Sequence, residues 1–527
     1  MKLKVPYSFL LMAAFFLNRV TISARQIGPG ESLRFLVVLF VFLGFFFLGT
    51  LLYVKDWHRA NFLVFLLPFC LLVYQGIFEW IKKEYTGHST SLGLLLIPCM
   101  ALLYTALASP RGWALLTQPA IITKYLYFVL LIFLGIQVLQ FGKDFRKNFG
   151  GIAGSDQGTF IPVTSGITLN AGSRPDIYII VLDGYAGQDV LKEIYQYDNS
   201  EFLGQLETRG FYISRGSHSN YVQTSYSVIS LLNFEYLQPW QRSMDYYEYL
   251  VGPILHNRVF EMLQEIGYTT VGFKGATAFS QVANSDIFYN DSLPLNRFET
   301  YLLANTPVEP LAAVLNLGFR VPDYKTHRRR ILDHLRTLET VPETIAGPKI
   351  TYLHLLAPHP PFVFDEYGNM VEPDRPFSIL DGNEFAGSTE EYWQGYRQQI
   401  TFLNARILEA IDMILEKSDT PPVIILMSDH GPGSMLQWEP DDYRCLWERT
   451  NNLYALLLPD HRADPALQPG MTPVNTFRIV FNSYFGTSLP MLEDRTYFAT
   501  WHYPERMIDV TDDRDSRNAC LSLESLR

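Results

Sequence analysis

Four stretches crowded into the first 142 residues limit what this chain can become more than anything that follows them. Phe35 to Val54, Asn61 to Trp80, Leu92 to Ser109 and Tyr125 to Phe141 hold almost no charge. Each runs for roughly 17 to 20 residues, long enough to cross a bilayer as a helix. Hydrocarbon offers a backbone no partners but its own, so segments of this kind are confined to helices. A fifth segment, Val5 to Leu17, is only about 13 residues long, which fits a short span, an interfacial helix or the apolar part of a signal peptide. No small-residue cleavage site follows it and further spans do, so it reads as a short first span. Ionisable residues such as Glu79 and Lys124 sit at span ends, where an anchor keeps them; a conducting bundle, the alternative, places them in mid-span. Orientation is written ambiguously. Five spans with Lys2 and Lys4 inside put the rest of the chain outside the cytoplasm, but leave Arg19, Arg25, Lys82 and Lys83 outside as well. Four spans satisfy the positive-inside rule better and reverse the placement.

The spans end near residue 142, and residues 143–174, rich in Gly, Ser and Thr after a short basic cluster, have the composition of a linker. Residues 175–527 are enough for one large soluble domain. Apolar strand candidates at Ile177 to Leu182, Thr269 to Phe273, Ile350 to Leu355, Val423 to Met427 and Leu453 to Leu458 alternate with helical patterns. The helices are expected at about Ser200 to Arg209, Asn257 to Glu265, His327 to Leu338 and Thr389 to Glu416. Such alternation predicts an α/β domain with a mainly parallel sheet and helices on both faces. A net charge of −11 argues against a nucleic-acid partner. Cys445 and Cys520 are the only cysteines of the soluble part, so one disulfide is allowed, and no CxxC zinc motif exists.

Two of the strands end in residues that bind metals. VIILMSDHG, Val423 to Gly431, is an apolar run that stops at Asp429 and His430; IYIIVLDGY, Ile177 to Tyr185, stops at Asp183. In open α/β sheets ligands bind just beyond the carboxyl ends of the strands, so two such ends can converge on one cation. Either strand end alone is equally well a turn. Between the strands, SHSNYVQTSYSVISLLN, Ser217 to Asn233, leads from a hydroxyl-rich turn into a short apolar helix with Thr224 and Ser225 near its start. A hydroxyl there meets the positive end of the helix dipole, which favours an alkoxide and an incoming phosphate. Plain N-capping is the ordinary reason for such residues.

With these residues in place, the soluble part resembles the alkaline phosphatase superfamily, in the sulfatase-like branch that includes lipoteichoic acid synthases and phosphoethanolamine transferases. In sulfatases the nucleophile stands six residues before the Ser of a Ser-Leu-Leu motif, and six before Ser230 is Thr224. In place of the Cys-x-Pro-Ser-Arg that becomes formylglycine, the chain has Thr224-Ser225-Tyr226-Ser227-Val228, similar to the phosphotransferases, which counts against sulfate-ester hydrolysis. The resemblance gives Asp183 the place of the first metal ligand, where those transferases usually carry Glu, and gives Asp429 and His430 the later pair. Together with Thr224 they imply a site for one divalent ion, Zn or Mn. TYLHLLAPHPPF, Thr351 to Phe362, is similar to a family strand whose histidine stands just before Pro-Phe, which implies that His359 faces the substrate; His354, in mid-strand, reads as a core histidine. Gly267-Tyr268-Thr269-Thr270 resembles a sulfatase strand followed by a substrate-binding lysine, here Lys274, displaced by one position. A short first span ending near Asn18 and the segment Thr472 to Gly486 are similar to five-span bacterial sulfatase-like proteins with an extracytoplasmic catalytic domain, and this decides the topology for five spans. The resemblance thus implies a multi-pass enzyme of the cell (inner) membrane. It would be a metal-dependent phosphotransferase or phosphodiesterase moving a phospholipid head group onto an envelope glycan or lipid, with sulfatase-type hydrolysis and an inactive scaffold as alternatives.

Overall fold

The computed structural model describes residues 6–23, 29–84, 89–109, 119–149, 169, 174–241, 246–290, 306–308, 310–311, 323–375, 377–438, 445–461, 464–500, 503–518 and 520. Two compact units emerge: Met1–Ser155 with Ser292–Pro322 and Asp374–Pro376, and Asp156–Asp291 with Asp323–Pro373 and Phe377–Arg527.

The first unit is helical. Among the described residues its long helices are Tyr7–Ser23, Pro29–Val54, Trp57–Glu84, Ser89–Ala108 and Pro119–Phe149. Two of them are long and apolar enough to cross a membrane, over Trp57–Phe78 and Thr123–Gln140, and shorter apolar helices cover Tyr7–Leu17, Leu39–Val54 and Ser91–Ala106. Inside the unit the Tyr7 N–H donates to Asn61 Oδ1 at 3.1 Å, and the Tyr7 ring meets Phe65 and Tyr127 edge-on. Outside it, Phe45, Leu52, Leu102 and Leu139 are each two-thirds exposed or more, a surface that calls for a lipid or protein cover. The last helix continues to Phe149, so the first residues of the expected linker are helical. The rest of that linker, except residues 169 and 174, lies outside the described residues, as do Lys2, Lys4 and Arg25.

The second unit is built on a seven-stranded sheet. The strands are β1 Ile177–Leu182, β2 Tyr212–Ile213, β3 Thr269–Phe273, β4 Ile287–Tyr289, β5 Lys349–Leu355, β6 Val423–Met427 and β7 Tyr454–Leu457, in the spatial order β2-β7-β6-β1-β5-β3-β4. β1 lies between β5 and β6, parallel to both, and β3 pairs parallel with β4 and β5. β7 runs antiparallel to β6 and β2, so the parallel sheet expected from the alternating pattern gains an antiparallel edge. β1 is wholly buried because both of its faces are covered, which is why its sequence is a continuous apolar run. Tyr178, Ile180 and Leu182 face one core, with Leu335 and Leu338 of the helix Tyr324–Thr344 and Ile400, Leu403 and Ile407 of Thr389–Lys417. Ile177, Ile179 and Val181 face the other, with Ile229 and Leu232 of Thr224–Asn233 and Phe481 of Thr476–Tyr484. Each such aliphatic side chain contributes about 1.5–3 kcal/mol relative to exposure. A small hairpin, β8 Tyr497–Ala499 and β9 Met507–Asp509, follows, and a disulfide joins Cys445 to Cys520 across 75 residues of chain.

Candidate metal centre

The site forms where the central strands stop. Leu182 pairs with Leu355, and Val181 with both His354 and Met427, so Asp183, His354 and the residues after Met427 emerge at one edge of the sheet. Gly184 turns the chain away at φ +72°, a conformation that a side chain would strain, and it packs against His359. Its N–H donates to Asp429 Oδ1 at 3.3 Å, while the His359 N–H donates to Asp183 O at 2.9 Å, stitching three candidate residues to one turn.

Ligand atoms of Asp183, Asp429 and His430 all lie within 4.8 Å of one another, and all three residues are buried. His430 Nε2 is 3.3 Å from Asp429 Oδ2 and 3.7 Å from Asp183 Oδ1. The third strand adds His354, whose Nε2 lies 3.5 Å from Asp429 Oδ2 and 3.8 Å from Asp183 Oδ2. Asp183 Oδ1, Asp429 Oδ2 and both ring nitrogens of His354 are buried with no hydrogen-bond partner. Orphaned buried atoms of this kind are costly unless something else satisfies them. Here the two carboxylates and His354 Nε2 converge on one another, and oxygen-rich ligation with imidazole suits Zn or Mn.

The electrostatics agree. Burial and the neighbouring Asp429 carboxylate push Asp183 well above the usual carboxylate range. At Asp429 burial acts in the same direction, but His430 and His354 outweigh it and hold the group below that range. Burial, with Arg449 beside it, lowers His430 to about 3, so the imidazole is neutral. Its Nδ1 lies 2.9 Å from Gly431 O, an acceptor only; the proton is therefore on Nδ1 and the lone pair on Nε2, facing the carboxylates. Two crowded carboxylates and a neutral imidazole lone pair are a donor set that a dication fits.

Thr224 is the first residue of the helix Thr224–Asn233, and the residue before it, Gln223, makes no side-chain cap. The Thr224 hydroxyl points to the cluster instead, with Oγ1 3.2 Å from His430 Nε2, and it stands close enough to both carboxylates to lower them. Ser225, its neighbour, is buried. His359 Nδ1 lies 2.6 Å from Pro360 O, which leaves Nε2 facing Asp381 Oδ2 at 3.6 Å, and its ring centroid is 6.4 Å from that of His430. Burial lowers His359 below the usual histidine range even though Asp381 pulls the other way. Lys274 follows β3, which β5 separates from β1; at the usual strand spacing its backbone is about 10 Å from β1, on the opposite side from β6. Its N–H donates to Tyr289 O.

Three residues that the motifs did not single out complete the surroundings. His354 is a correction: it is buried, as a core histidine is, but no hydrogen bond satisfies it and it faces two carboxylates. The rule that drew attention to Asp183, ligands at carboxyl ends of central strands, applies to it equally. Asp381 accepts from Tyr392 and Arg449, and despite burial it is held below the carboxylate range by His359 and Arg449. Arg449, in the short helix Leu446–Thr450, donates to Asp381 and reaches His430 Nε2 at 3.2 Å. No local pattern marks either, because both reach the site through tertiary packing alone.

Among solved structures the chain is similar to the C-terminal periplasmic domain of EptC from Escherichia coli in complex with zinc, at 12% identity and a TM-score of 0.43, covering 67% of this chain and 98% of that one. It is also similar to the integral membrane lipooligosaccharide phosphoethanolamine transferase A from Neisseria meningitidis, at 14% identity and a TM-score of 0.37, covering 91% and 94%. No curated protein matches. The Sulfatase family model matches residues 175–455, more than half of the chain and all of the strands that bear the site, and the chain belongs to the sulfatase family.

Proposed function

We propose that this chain is a multi-pass, metal-dependent phosphotransferase whose catalytic domain works on the extracytoplasmic face of the inner membrane, moving a phospholipid head group onto an envelope glycan or lipid. The observation that supports this most is the Thr224 hydroxyl, 3.2 Å from His430 Nε2, at the start of a helix and at the edge of the Asp183–Asp429–His430 cluster. A threonine hydroxyl is a weak nucleophile until something lowers its pKa. Asp183, Asp429, His430 and Thr224 Oγ1 would hold one Zn or Mn ion, which supplies Lewis acidity and favours the ionised hydroxyl. Thr224 then attacks phosphorus in line and the bond to the leaving oxygen breaks, leaving a phosphothreonine; the positive end of the helix faces the charge that develops. His359 relays protons at Nε2: it takes up the proton that Thr224 loses, gives it to the leaving oxygen, then takes one from the acceptor hydroxyl and returns it to Thr224 Oγ1 as the phosphothreonine bond breaks. Asp381 steadies its charged form. Lys274 fits a more distant contact to the substrate.

A membrane-tethered domain meets lipid head groups at high effective concentration, an advantage that a soluble ester does not need. The Cys445–Cys520 disulfide suits an oxidising compartment outside the cytoplasm. The family name favours a second reading, sulfate-ester hydrolysis, but the nucleophile position is Thr224 and offers no cysteine for conversion to formylglycine. Purified enzyme given zinc and labelled phosphatidylethanolamine or phosphatidylglycerol is expected to carry the labelled group on the peptide that contains Thr224. Absence of that adduct together with brisk aryl sulfate hydrolysis overturns transfer in favour of the sulfatase reading.

A further inference from the structure

Arg449 is a buried guanidinium whose last contact is with the atom that a working site needs for its metal. It is 2% exposed and its plane lies over Trp438, 5.1 Å from the ring centroid. Nε donates to Val222 O at 2.8 Å; Nη1 donates to Asp381 Oδ2 at 2.7 Å and to Gly431 O at 3.1 Å. These three acceptors use the Nε proton and both protons of Nη1, which leaves the two of Nη2. Among the described residues Nη2 has one partner, His430 Nε2 at 3.2 Å. That nitrogen carries a single lone pair, and it is the one a metal ion would take. Thr224 Oγ1 sits at the same 3.2 Å from it, so guanidinium and nucleophile converge on one atom.

We propose that Arg449 binds the non-bridging oxygens of the group being transferred, and that its Nη2 is released for this when His430 Nε2 is engaged by a metal. The inference rests on the metal-dependent reading above and adds a residue to it. Once the lone pair is taken, Nη2 is a buried cationic donor with both protons unclaimed, and such a donor is costly until an acceptor arrives. An anionic phosphoryl oxygen beside Thr224 is that acceptor, and a planar guanidinium fits two of its oxygens at once. Val222 O, Gly431 O, Asp381 and Trp438 hold the rest of the side chain still, so the donor is already aimed when substrate enters. Val222 stands two residues before Thr224, which couples the position of the guanidinium to that of the nucleophile.

The test uses the full-length protein in detergent, loaded with zinc, with inorganic phosphate titrated calorimetrically into wild type, Arg449→Gln and Arg449→Lys, and the zinc content of each measured. Zinc stoichiometry is expected to be the same in all three. Phosphate affinity should fall about tenfold to hundredfold in Arg449→Gln, as loss of a charge-assisted hydrogen bond implies. Arg449→Lys should not restore it, because one ammonium cannot hold Asp381, Gly431 O and Val222 O and still present a donor. Unchanged phosphate affinity in zinc-loaded Arg449→Gln overturns the assignment of Arg449 alone, whereas a wild type that takes up neither zinc nor manganese overturns the metal reading and this proposal with it. A crystal structure of the wild type with zinc and phosphate decides the matter independently of how well the variants fold: a phosphate oxygen within hydrogen-bond distance of Nη2 supports the proposal, and Nη2 still on His430 rejects it.

Discussion

At the scale of single residues, two neighbouring hydroxyls separate chemistry from packing. Thr224 Oγ1 faces the cluster, while Ser225 is buried beside it. Thr224→Ala is expected to lower turnover by about a thousandfold or more with zinc still bound, and Ser225→Ala to leave most of it, as read by head-group release and metal content of the same preparations. Equal effects from the two would place the nucleophile elsewhere. Asp381 has a role that pH exposes. Its folded pKa lies below the usual carboxylate value because His359 and Arg449 outweigh burial, so its contribution is present above the unfolded value near 4 and is lost as pH falls through the folded one. Asp381→Asn leaves the Arg449 charge without its partner and should cost about 3 kcal/mol at pH 7. The gap from wild type, followed by denaturant unfolding, should narrow as pH drops below about 4; a gap that is constant with pH contradicts the ionic account.

At the scale of elements, the turn after β6 and the short helix Leu446–Thr450 hold the site together. Gly431 donates its N–H to Arg449 O, and a Cβ on it would lie 2.1 Å from Glu448 O and 2.8 Å from Asn451 O. Backbone atoms cannot give way as a side-chain tip can, so Gly431→Ala should cost about 1–3 kcal/mol and weaken zinc retention by displacing His430 and Arg449 together. Retained zinc affinity in a destabilised Gly431→Ala protein would show that the turn serves the fold and not the site. Glu448, fully buried, fixes the same helix by accepting from Ser434, the Met435 N–H and Tyr195. Cys445 immediately precedes the helix, so its disulfide to Cys520 tethers the element that carries Arg449. Closing 75 residues should stabilise the domain by about 4 kcal/mol on the chain-entropy account. The double variant Cys445→Ser with Cys520→Ser should therefore melt earlier than wild type, and reductant should lower the melting temperature of wild type but not of the variant.

For the whole molecule, charge and helix count pull the topology in opposite directions. The five long helices among the described residues of the first unit, if each crosses the membrane from an inward N-terminus, deliver the second unit outside the cytoplasm. A phosphatase reporter fused after Arg527 is expected to be active only on that side. Activity of a cytoplasmic reporter at the same position would favour four spans, as the positive-inside rule prefers.

Much of the architecture could be read without coordinates because it is local. β1 and β6 fall where continuous apolar runs put them, since a strand buried on both faces admits nothing else. The convergence of Asp183, Asp429 and His430 followed from the same runs, because parallel strands of one sheet bring their carboxyl ends to one edge. What sequence could not decide is whatever depends on how those pieces pack. β7 is as apolar as its neighbours, and only its connection makes it antiparallel. A histidine on β5 looks alike whether a core partner satisfies it or two carboxylates from adjacent strands face it. Arg449 and Asp381, 68 residues apart in the chain, acquire their bond and their place beside His430 only once the helix Leu446–Thr450 is seated. Strand ends are set by short-range hydrophobic pattern, whereas the charges around them are set by which distant segments exclude water together.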